Sequence, residues 1–274
     1  MSRRLTLTVL SLLPMLAMAP AANADQTTVK AKYRINLLGL NVGTLRMTTA
    51  IDGTTYTIDG SGNISGLPQL FIEFKGKTSS RGTFRDNAPR PARHSIGYNT
   101  VKKDYSTEMS WRGGSVTGLD LVPPYKVKRS RVPIEAAHKV GVIDPVSAVL
   151  APVTSGAFDG AAACNRSLPI FDGRERFNVD LSFKRIGKVK GETDKDYSGA
   201  VVVCGAKYSP IAGHRREGDD WIKALKRTEK IEIWLAPLHD AKTFVLYRAR
   251  IPTPWGPAVI YPRRFRIATP SSSS

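Results

Sequence analysis

Apolar and polar residues alternate one by one along several stretches of this chain, and this alternation constrains its fold more than any other feature. The clearest case is Phe177–Phe183, in which every second residue is apolar and the residues between them are Asn, Asp and Ser. Successive side chains of a β-strand point to opposite faces. The pattern therefore predicts a strand with one face toward a core and the other toward water.

Similar patterns predict strands along most of the remaining chain, at residues 31–60, 71–84, 93–112, 201–207, 231–235, 244–251 and 259–267. Residues 31–60 are predicted to form a β-hairpin with its turn at Asp52-Gly53 and a local break at Gly39. The basic, proline-bounded stretch 121–133 is predicted to connect two halves of the chain. Such a set of strands hides its edges either in two packed sheets or in one sheet curled toward a barrel.

Helix signals are few. Asp144 is a natural N-cap, Pro145 suits a first helical turn, and the apolar residues that follow share one face. Residues 219–227 and 67–72 could each form another short helix. The chain is therefore predicted to be mainly β with small helical additions.

The N-terminus has the three parts of a secretory signal peptide. Arg3 and Arg4 precede an apolar run, and Ala22-Asn23-Ala24 matches a small-x-small cleavage site. The run of about 15 residues is shorter than the roughly 20 that span a membrane. We expect residues 1–24 to be a signal peptide, residues 25–268 to be one β-rich periplasmic domain, and residues 269–274 to be a disordered tail.

The chain contains two cysteines, Cys164 and Cys204. In an oxidising compartment, two thiols with no third favour one structural disulfide. Such a bridge would contribute about 4 kcal/mol to stability in the chain-entropy model. Because Cys204 ends an apolar strand, we expect the bridge to secure an edge or lip of the sheet. A reactive or metal-binding role is the alternative.

Positive charge is the outlying property of the composition, with 41 Lys and Arg against 23 Asp and Glu. Such a chain is attracted to polyanions. Export and the lack of any nucleic-acid-binding signature exclude DNA and RNA from the expected partners. The expected partners are an anionic lipid surface or an envelope protein, together with a potential apolar ligand, and the association with a membrane would be peripheral. A solvated basic surface without a specific partner is the alternative.

Two clusters are the candidate anionic-surface contacts. They are Lys126, Lys128, Arg129 and Arg131 in the connecting stretch, and Arg263, Arg264 and Arg266 near the C-terminus. Trp255 lies in a proline-rich segment, where it could contact a partner or cap an open core.

The histidines show no metal-binding spacing, so no metal and no cofactor are expected. A catalytic base at His214, oriented by Asp219 or Asp220, is the alternative for an enzyme, although the usual hydrolase motif G-x-S-x-G is missing. Phe171-Asp172-Gly173 is interpreted as a tight turn anchored by a buried Phe171. We expect a protein that is not an enzyme.

Two motifs resemble a known family. The stretch GVIDPVSAVL, and CNRSLPIFDGRERFNVDLSF followed by CGAKYSPIAGHR, resemble the exported domain of unknown function 3108 over roughly residues 30–267. The chain is also similar in plan to β-spiral envelope-integrity proteins and to the curled sheet of periplasmic lipoprotein carriers. The resemblance implies one strongly curved antiparallel sheet, a β-spiral or half-open barrel with one or two short helices. It also implies a role in cell-envelope maintenance.

Three functions follow from this reasoning. The first is a non-enzymatic periplasmic protein that supports envelope integrity by binding a lipid-like ligand or an envelope protein. The second is an interaction scaffold with a filled core. The third is a hydrolase that acts on envelope glycan or lipid.

Overall fold

In a computed structural model, residues 26–64, 74–100, 103–153, 160–226, 230–238 and 242–269 are described. These residues form fourteen strands and two short helices. In chain order the elements are β1 Thr27–Leu37, β2 Leu40–Asp52, β3 Thr55–Ile64, β4 Phe74–Arg85, β5 Ala88–Thr100, β6 Asp104–Arg112, β7 Ser115–Val122, β8 Leu150–Pro152, α1 Gly160–Cys164, β9 Arg166–Phe171, β10 Arg176–Val189, β11 Gly199–Ala212, α2 Asp220–Leu225, β12 Glu232–Leu238, β13 Thr243–Thr253 and β14 Gly256–Ala268.

All fourteen strands belong to a single antiparallel sheet, which confirms the predicted fold class. The strand order is β7-β6-β5-β4-β3-β2-β1-β14-β13-β12-β11-β10-β9, and β8 pairs with β13. The first seven strands form an uninterrupted meander, and the last six strands form a second one. Pairing of β1 with β14 joins the two halves, as at Lys32↔Arg264. The stretch 121–133 leads out of the edge strand β7 and thus connects the halves, as predicted.

Among the described strands the sheet does not close through a strand pair, but its two edges approach each other. The segment 140–143 lies between them: the amide of Gly141 donates to the carbonyl of Gly114 near β7, and the amide of Ile143 donates to the carbonyl of Pro169 in β9. On the β9 side, a methyl group added to Gly173 would lie 2.7 Å from Cγ2 of Thr107 in β6. The result is a half-open barrel whose gap is filled by a connecting segment.

The interior of the barrel is filled by side chains. Inward-facing residues from both halves form the largest cluster, which includes Tyr33, Ile58, Tyr247 and Phe265, each of them buried. Residues 144–150 enter this interior from the connecting stretch and contribute the fully buried Leu150. A cavity of about 10 Å³ remains between β1, β2 and β13, which is at the lower limit for holding one water molecule.

A second cluster covers the opposite face of β11–β13. Cys164 at the end of α1 is bonded to Cys204 in β11, with the two Cα atoms 5.5 Å apart. Both cysteines are completely buried, and they pack with Val202 and Phe244. The predicted disulfide is confirmed. The expectation that it secures an edge or lip is wrong, because β11 lies between β10 and β12 and the bridge fastens a helix onto the sheet.

The chain does break at Gly39, as predicted, but the break is a complete turn between two strands. Leu38 and Gly39 have φ values of 54° and 85° and form the tight turn between β1 and β2. Residues 31–60 are therefore parts of three strands rather than one hairpin. Leu38 hid the turn from sequence reasoning, since this position favours Asn, Asp or Gly.

Of the predicted helices, residues 219–227 are represented by α2, for which the Asp219 side chain accepts hydrogen bonds from two backbone amides. The Asp144 signal corresponds to a shorter 3-10 turn, Ser147–Val149. The predictions at residues 1–24, 67–72 and 270–274 lie outside the described residues. Within the described ranges, no helix is both long and apolar enough to span a membrane.

Candidate functional site: a cationic outer face

The two basic clusters predicted from sequence lie on different elements of the fold. Lys126, Lys128 and Arg129 are exposed in the connecting stretch. That stretch pairs with the loop after β11, where the amide of Val132 donates to the carbonyl of His214. The second cluster lies on β14, which pairs with β1.

Several members of these clusters are engaged with other residues. Arg131 is half-buried and donates to Oε1 of Glu175 at 3.1 Å and to the carbonyl of Gly213, so it joins two loops instead of facing a partner. Arg131 is therefore the member of its cluster that is held in an internal contact, and its role in a surface contact stays a prediction. On β14, Arg263 pairs with Glu192, and Nε of Arg266 lies 3.7 Å from Oδ1 of Asp196.

A larger cationic surface is formed by residues that sequence reasoning did not group together. On β1, Val29, Ala31 and Tyr33 face the core, so Lys30 and Lys32 point to the outer face. Registered partners in an antiparallel pair share a face. The outward positions of β14, β1, β2 and β4 supply what we term the cationic face: Lys30, Lys32, Arg34, Arg46, Lys75, Lys77, Arg264 and Arg266.

The cationic face places like charges directly opposite each other. Lys32 is paired in register with Arg264 on one side and with Arg46 on the other. Lys30 is likewise paired with Arg266. Neighbouring strands are about 4.8 Å apart, and like charges at this spacing destabilise a sheet. The fold therefore carries an electrostatic cost at this surface that an anionic partner would relieve.

Few acidic groups offset these cations. The five strands β14 and β1–β4 contain eleven Lys and Arg residues, and their acidic residues are Asp52 and Asp59. Among the described residues, Arg266 is the member of the cationic face that forms an ion pair. The row from Arg264 on β14 to Lys77 on β4 crosses four strand intervals, or about 19 Å. This length suits an extended anionic surface better than one small anion.

Part of the outer face of β3–β7 carries acidic as well as basic side chains. A shallow groove of about 750 Å³ crosses β3–β7 and is lined by Arg81 and Arg93 in one row and by Asp59, Glu108 and Asp120 in the next. The two basic and three acidic side chains nearly cancel, so the groove has no strong net charge. The excess of positive charge belongs to the β14–β4 part of the sheet.

The DPVSA motif, residues 144–148, takes part in a buried polar network inside the barrel. Asp144 accepts hydrogen bonds from the hydroxyls of Ser80 and Ser147 at 2.9 and 2.5 Å, and Nδ1 of His94 lies 3.2 Å from its other oxygen. Tyr56 adds a hydrogen bond to Ser147 at 2.7 Å. Burial raises the pKa of Asp144, but the contacts with His94 and Ser147 outweigh burial and lower the pKa overall.

This Ser, His and Asp set is not arranged as a nucleophile triad. In a triad the histidine lies between the serine and the acid and removes the serine proton. Here both serine hydroxyls donate to Asp144, and all of the side chains are buried. The network instead fastens residues 144–149 to β3, β4 and β5, which holds this segment inside the barrel.

The alternative base, His214, lies in the loop after β11. Burial lowers its pKa, and Asp219 acts on it in the opposite direction. The carboxylate of Asp219 accepts hydrogen bonds from the amides of Trp221 and Ile222, so it serves as a helix cap. Within the described ranges, no group of three or more His, Cys, Asp or Glu residues could hold a metal ion.

The FDG motif is a structural turn, as interpreted from the sequence. Oδ1 of Asp172 accepts hydrogen bonds from the amides of Arg174 and Glu175 at 2.7 and 2.6 Å. Phe171 is completely buried and packs with Met109 and Val142 where the two edges of the sheet meet. Burial raises the pKa of Asp172.

Sequence comparison assigns the chain to a family. Residues 32–261, most of the chain, match the profile of a protein of unknown function, DUF3108. The chain belongs to the DUF3108 family. No curated protein matches this DUF3108 member. Among solved structures, the fold of the chain is similar to that of a β-barrel-like protein of the DUF1849 family from Brucella abortus. The TM-score is 0.49 and the sequence identity is 11%, and the alignment covers 89% of this chain and 98% of that one.

Proposed function

We propose that this DUF3108 protein is a non-enzymatic, exported protein that supports the cell envelope by docking on an anionic, phosphate-bearing surface. The observation that carries the proposal is the placement of Lys32 between Arg264 and Arg46 on the outer face. Such a row of opposed cations costs stability in the free protein. Contact with lipid phosphates would convert this repulsion into attraction.

The magnitude of the attraction is adequate for peripheral binding. Each Lys or Arg near an anionic bilayer contributes about 1 kcal/mol. Four or five cations of the cationic face in simultaneous contact would then correspond to about 4 to 5 kcal/mol, or a dissociation constant near the millimolar range referred to lipid. Binding of this kind is reversible and depends on salt.

Of the functions predicted from the sequence, the packing favours an interaction scaffold with a filled core over a protein that encloses a ligand. Residues 144–150 occupy the interior, and the cavity of about 10 Å³ beside Tyr33 is far smaller than an acyl chain. An enclosed lipid-like ligand would require removal of this segment and disruption of the Asp144 network. The outer surface is therefore the better candidate for recognition.

The proposal is tested by sedimentation of the mature protein with vesicles. We expect binding to vesicles of phosphatidylglycerol and phosphatidylcholine, no binding to vesicles of phosphatidylcholine alone, and steep loss of binding as salt is added. Equal binding to both vesicle types, or binding that does not depend on salt, would contradict docking by the cationic face.

A further inference from the structure

Four exposed apolar side chains meet at one end of the barrel. Leu38 and Leu40 flank Gly39 in the β1–β2 turn and are 62% and 59% exposed. Trp221 in α2 and Trp255 in the β13–β14 turn are 46% and 40% exposed. We refer to these four residues as the hydrophobic tip.

Contacts between the elements bring these residues together. The rings of Trp221 and Trp255 meet edge to face with their centroids 5.4 Å apart. A methyl group added to Gly256, the residue after Trp255, would lie 2.5 Å from Cδ2 of Leu38. The tip is thus a continuous surface built from three segments that are distant in sequence.

Leu38 is a poor residue for the stability of its turn, which indicates that it is there for a function. Leu38 has a φ of 54°, a conformation in which Asn, Asp and Gly are far better accommodated than Leu. A leucine at this position is strained and more than half exposed, so it contributes little to the core.

The charges around the tip identify the class of partner. Lys226 follows α2, and Lys230 and Arg250 line a cleft of about 310 Å³ that includes Gly256. The side chains of these three cations are exposed, and none forms an ion pair with a described acidic residue. The acids nearby are engaged: Glu232, which lines the same cleft, pairs with Lys184 and Arg185, Asp219 caps α2, and Asp220 pairs with Lys223. Apolar side chains with tryptophans, bordered by cations, are typical of surfaces that lie at the interface of an anionic bilayer.

We propose that the hydrophobic tip inserts into the interfacial region of an anionic phospholipid bilayer. This inference rests on the proposed function and narrows its partner to a lipid bilayer. Leu38 follows β1 and Trp255 precedes β14, and these strands carry Lys32 and Arg264 of the cationic face. A tilted orientation would bring the tip and the cationic face to one membrane.

Tryptophan quenching tests the insertion directly. The mature protein is mixed with vesicles of phosphatidylglycerol and phosphatidylcholine whose acyl chains carry bromine, which quenches tryptophan at the membrane. We expect strong quenching in the parent and much weaker quenching in a Trp221→Phe/Trp255→Phe variant. The tryptophans that remain, Trp111 and Trp234, are half-buried; Trp111 donates to the carbonyl of Val142, and Trp234 lies between Arg185 and Arg248 and donates to Glu232.

Leu38→Asn gives a matched affinity test, because asparagine suits the turn. We expect the partitioning of the variant onto the anionic vesicles to fall about tenfold relative to the parent, while its melting temperature is unchanged or higher. Val127→Ser is the control, since Val127 is 80% exposed but lies in the connecting stretch; this variant should bind like the parent.

The outcomes separate this inference from the proposed function. Salt-dependent binding without quenching, and with equal partitioning of Leu38→Asn, would overturn tip insertion while docking by the cationic face stands. Failure to bind anionic vesicles combined with binding to a soluble anionic polymer would also overturn tip insertion and leave the cationic face as the binding surface. Failure to bind either would overturn both.

Discussion

Nδ1 of His94 lies 3.2 Å from Oδ1 of Asp144, and both side chains are buried inside the barrel. The other oxygen of Asp144 accepts the hydroxyls of Ser80 and Ser147. One carboxylate therefore joins β4, β5 and the segment that fills the interior. The network holds residues 144–149 inside the barrel.

Replacement of Asp144 should be costly. In Asp144→Asn one carboxylate oxygen becomes an NH2 group, which cannot accept hydrogen bonds from the two serine hydroxyls or, in the flipped orientation, from the amides of Val146 and Ser147. The change also removes the charge next to His94. We expect the free energy of unfolding in urea at pH 7 to fall by about 3 kcal/mol. Asp86→Asn, at an exposed surface pair with Arg90, should change it by less than about 0.5 kcal/mol. Similar losses for the two variants would contradict the role of the network.

The same residue predicts a dependence on pH. The folded state lowers the pKa of Asp144 below its ordinary value of 3.8. The ionised carboxylate thus stabilises the fold at pH values above 3.8, and this contribution is lost as the pH falls through the lower, folded-state pKa. The difference in stability between the parent and Asp144→Asn should therefore shrink below about pH 4. If the stability difference between the two proteins grew in acid instead, the fold would raise the pKa of Asp144 rather than lower it.

The disulfide should stabilise the domain by fastening α1 onto the sheet. Cys164 and Cys204 are 40 residues apart in sequence, and closing such a loop contributes about 4 kcal/mol. A Cys164→Ala/Cys204→Ala variant should lose approximately this amount in chemical unfolding. Reductant should destabilise the parent and leave the variant unchanged. An unchanged melting temperature in the variant would show that the bridge is dispensable.

Contact between the two edges of the sheet can be tested at Gly173. Gly173 and Gly113 both have positive φ values, 94° and 59°. Of these two positions, only Gly173 is one where an added methyl group would collide with the opposite edge of the sheet. Gly113→Ala should cost about 1 kcal/mol from backbone strain alone. Gly173→Ala should cost about 1 to 2 kcal/mol more, because Thr107 and Leu121 must move. Equal costs would mean that the edges do not pack tightly.

The parts of the fold that depend on local patterns were predictable from the sequence. The strand at Phe177–Phe183, the short helix within residues 219–227 and the turn at Asp172-Gly173 each depend on neighbours within a few residues, although Phe183 at the end of that alternation is 41% exposed. The cysteine pair was predictable because the chain contains no other cysteine. The turn at Leu38-Gly39 was missed because a leucine occupies a position that normally favours asparagine.

The candidate site depends on long-range pairing and was not predictable in the same way. Lys32 and Arg264 are separated by most of the chain, and only the register of β1 with β14 makes them neighbours. A shift of that register by one residue would move either side chain to the core face. Of the two clusters that are dense in sequence, one contributes Arg264 and Arg266 to the cationic face, whereas Arg131 of the other is engaged with Glu175 and Gly213.

The most direct test of the central claim compares two variants with the same change in net charge. Lys32→Gln/Arg46→Gln/Arg264→Gln removes three charges from the cationic face, and Lys126→Gln/Lys128→Gln/Arg129→Gln removes three from the connecting stretch. Their affinities for phosphatidylglycerol vesicles and their melting temperatures are measured at one salt concentration.

We expect the first variant to lose about one hundredfold in affinity, at about 1 kcal/mol per charge, and to melt at the same or a higher temperature because opposed like charges are relieved. The second variant should lose less than about threefold, through its lower net charge alone. Equal losses of affinity in the two variants would contradict a defined docking face and would leave net charge as the only determinant of binding.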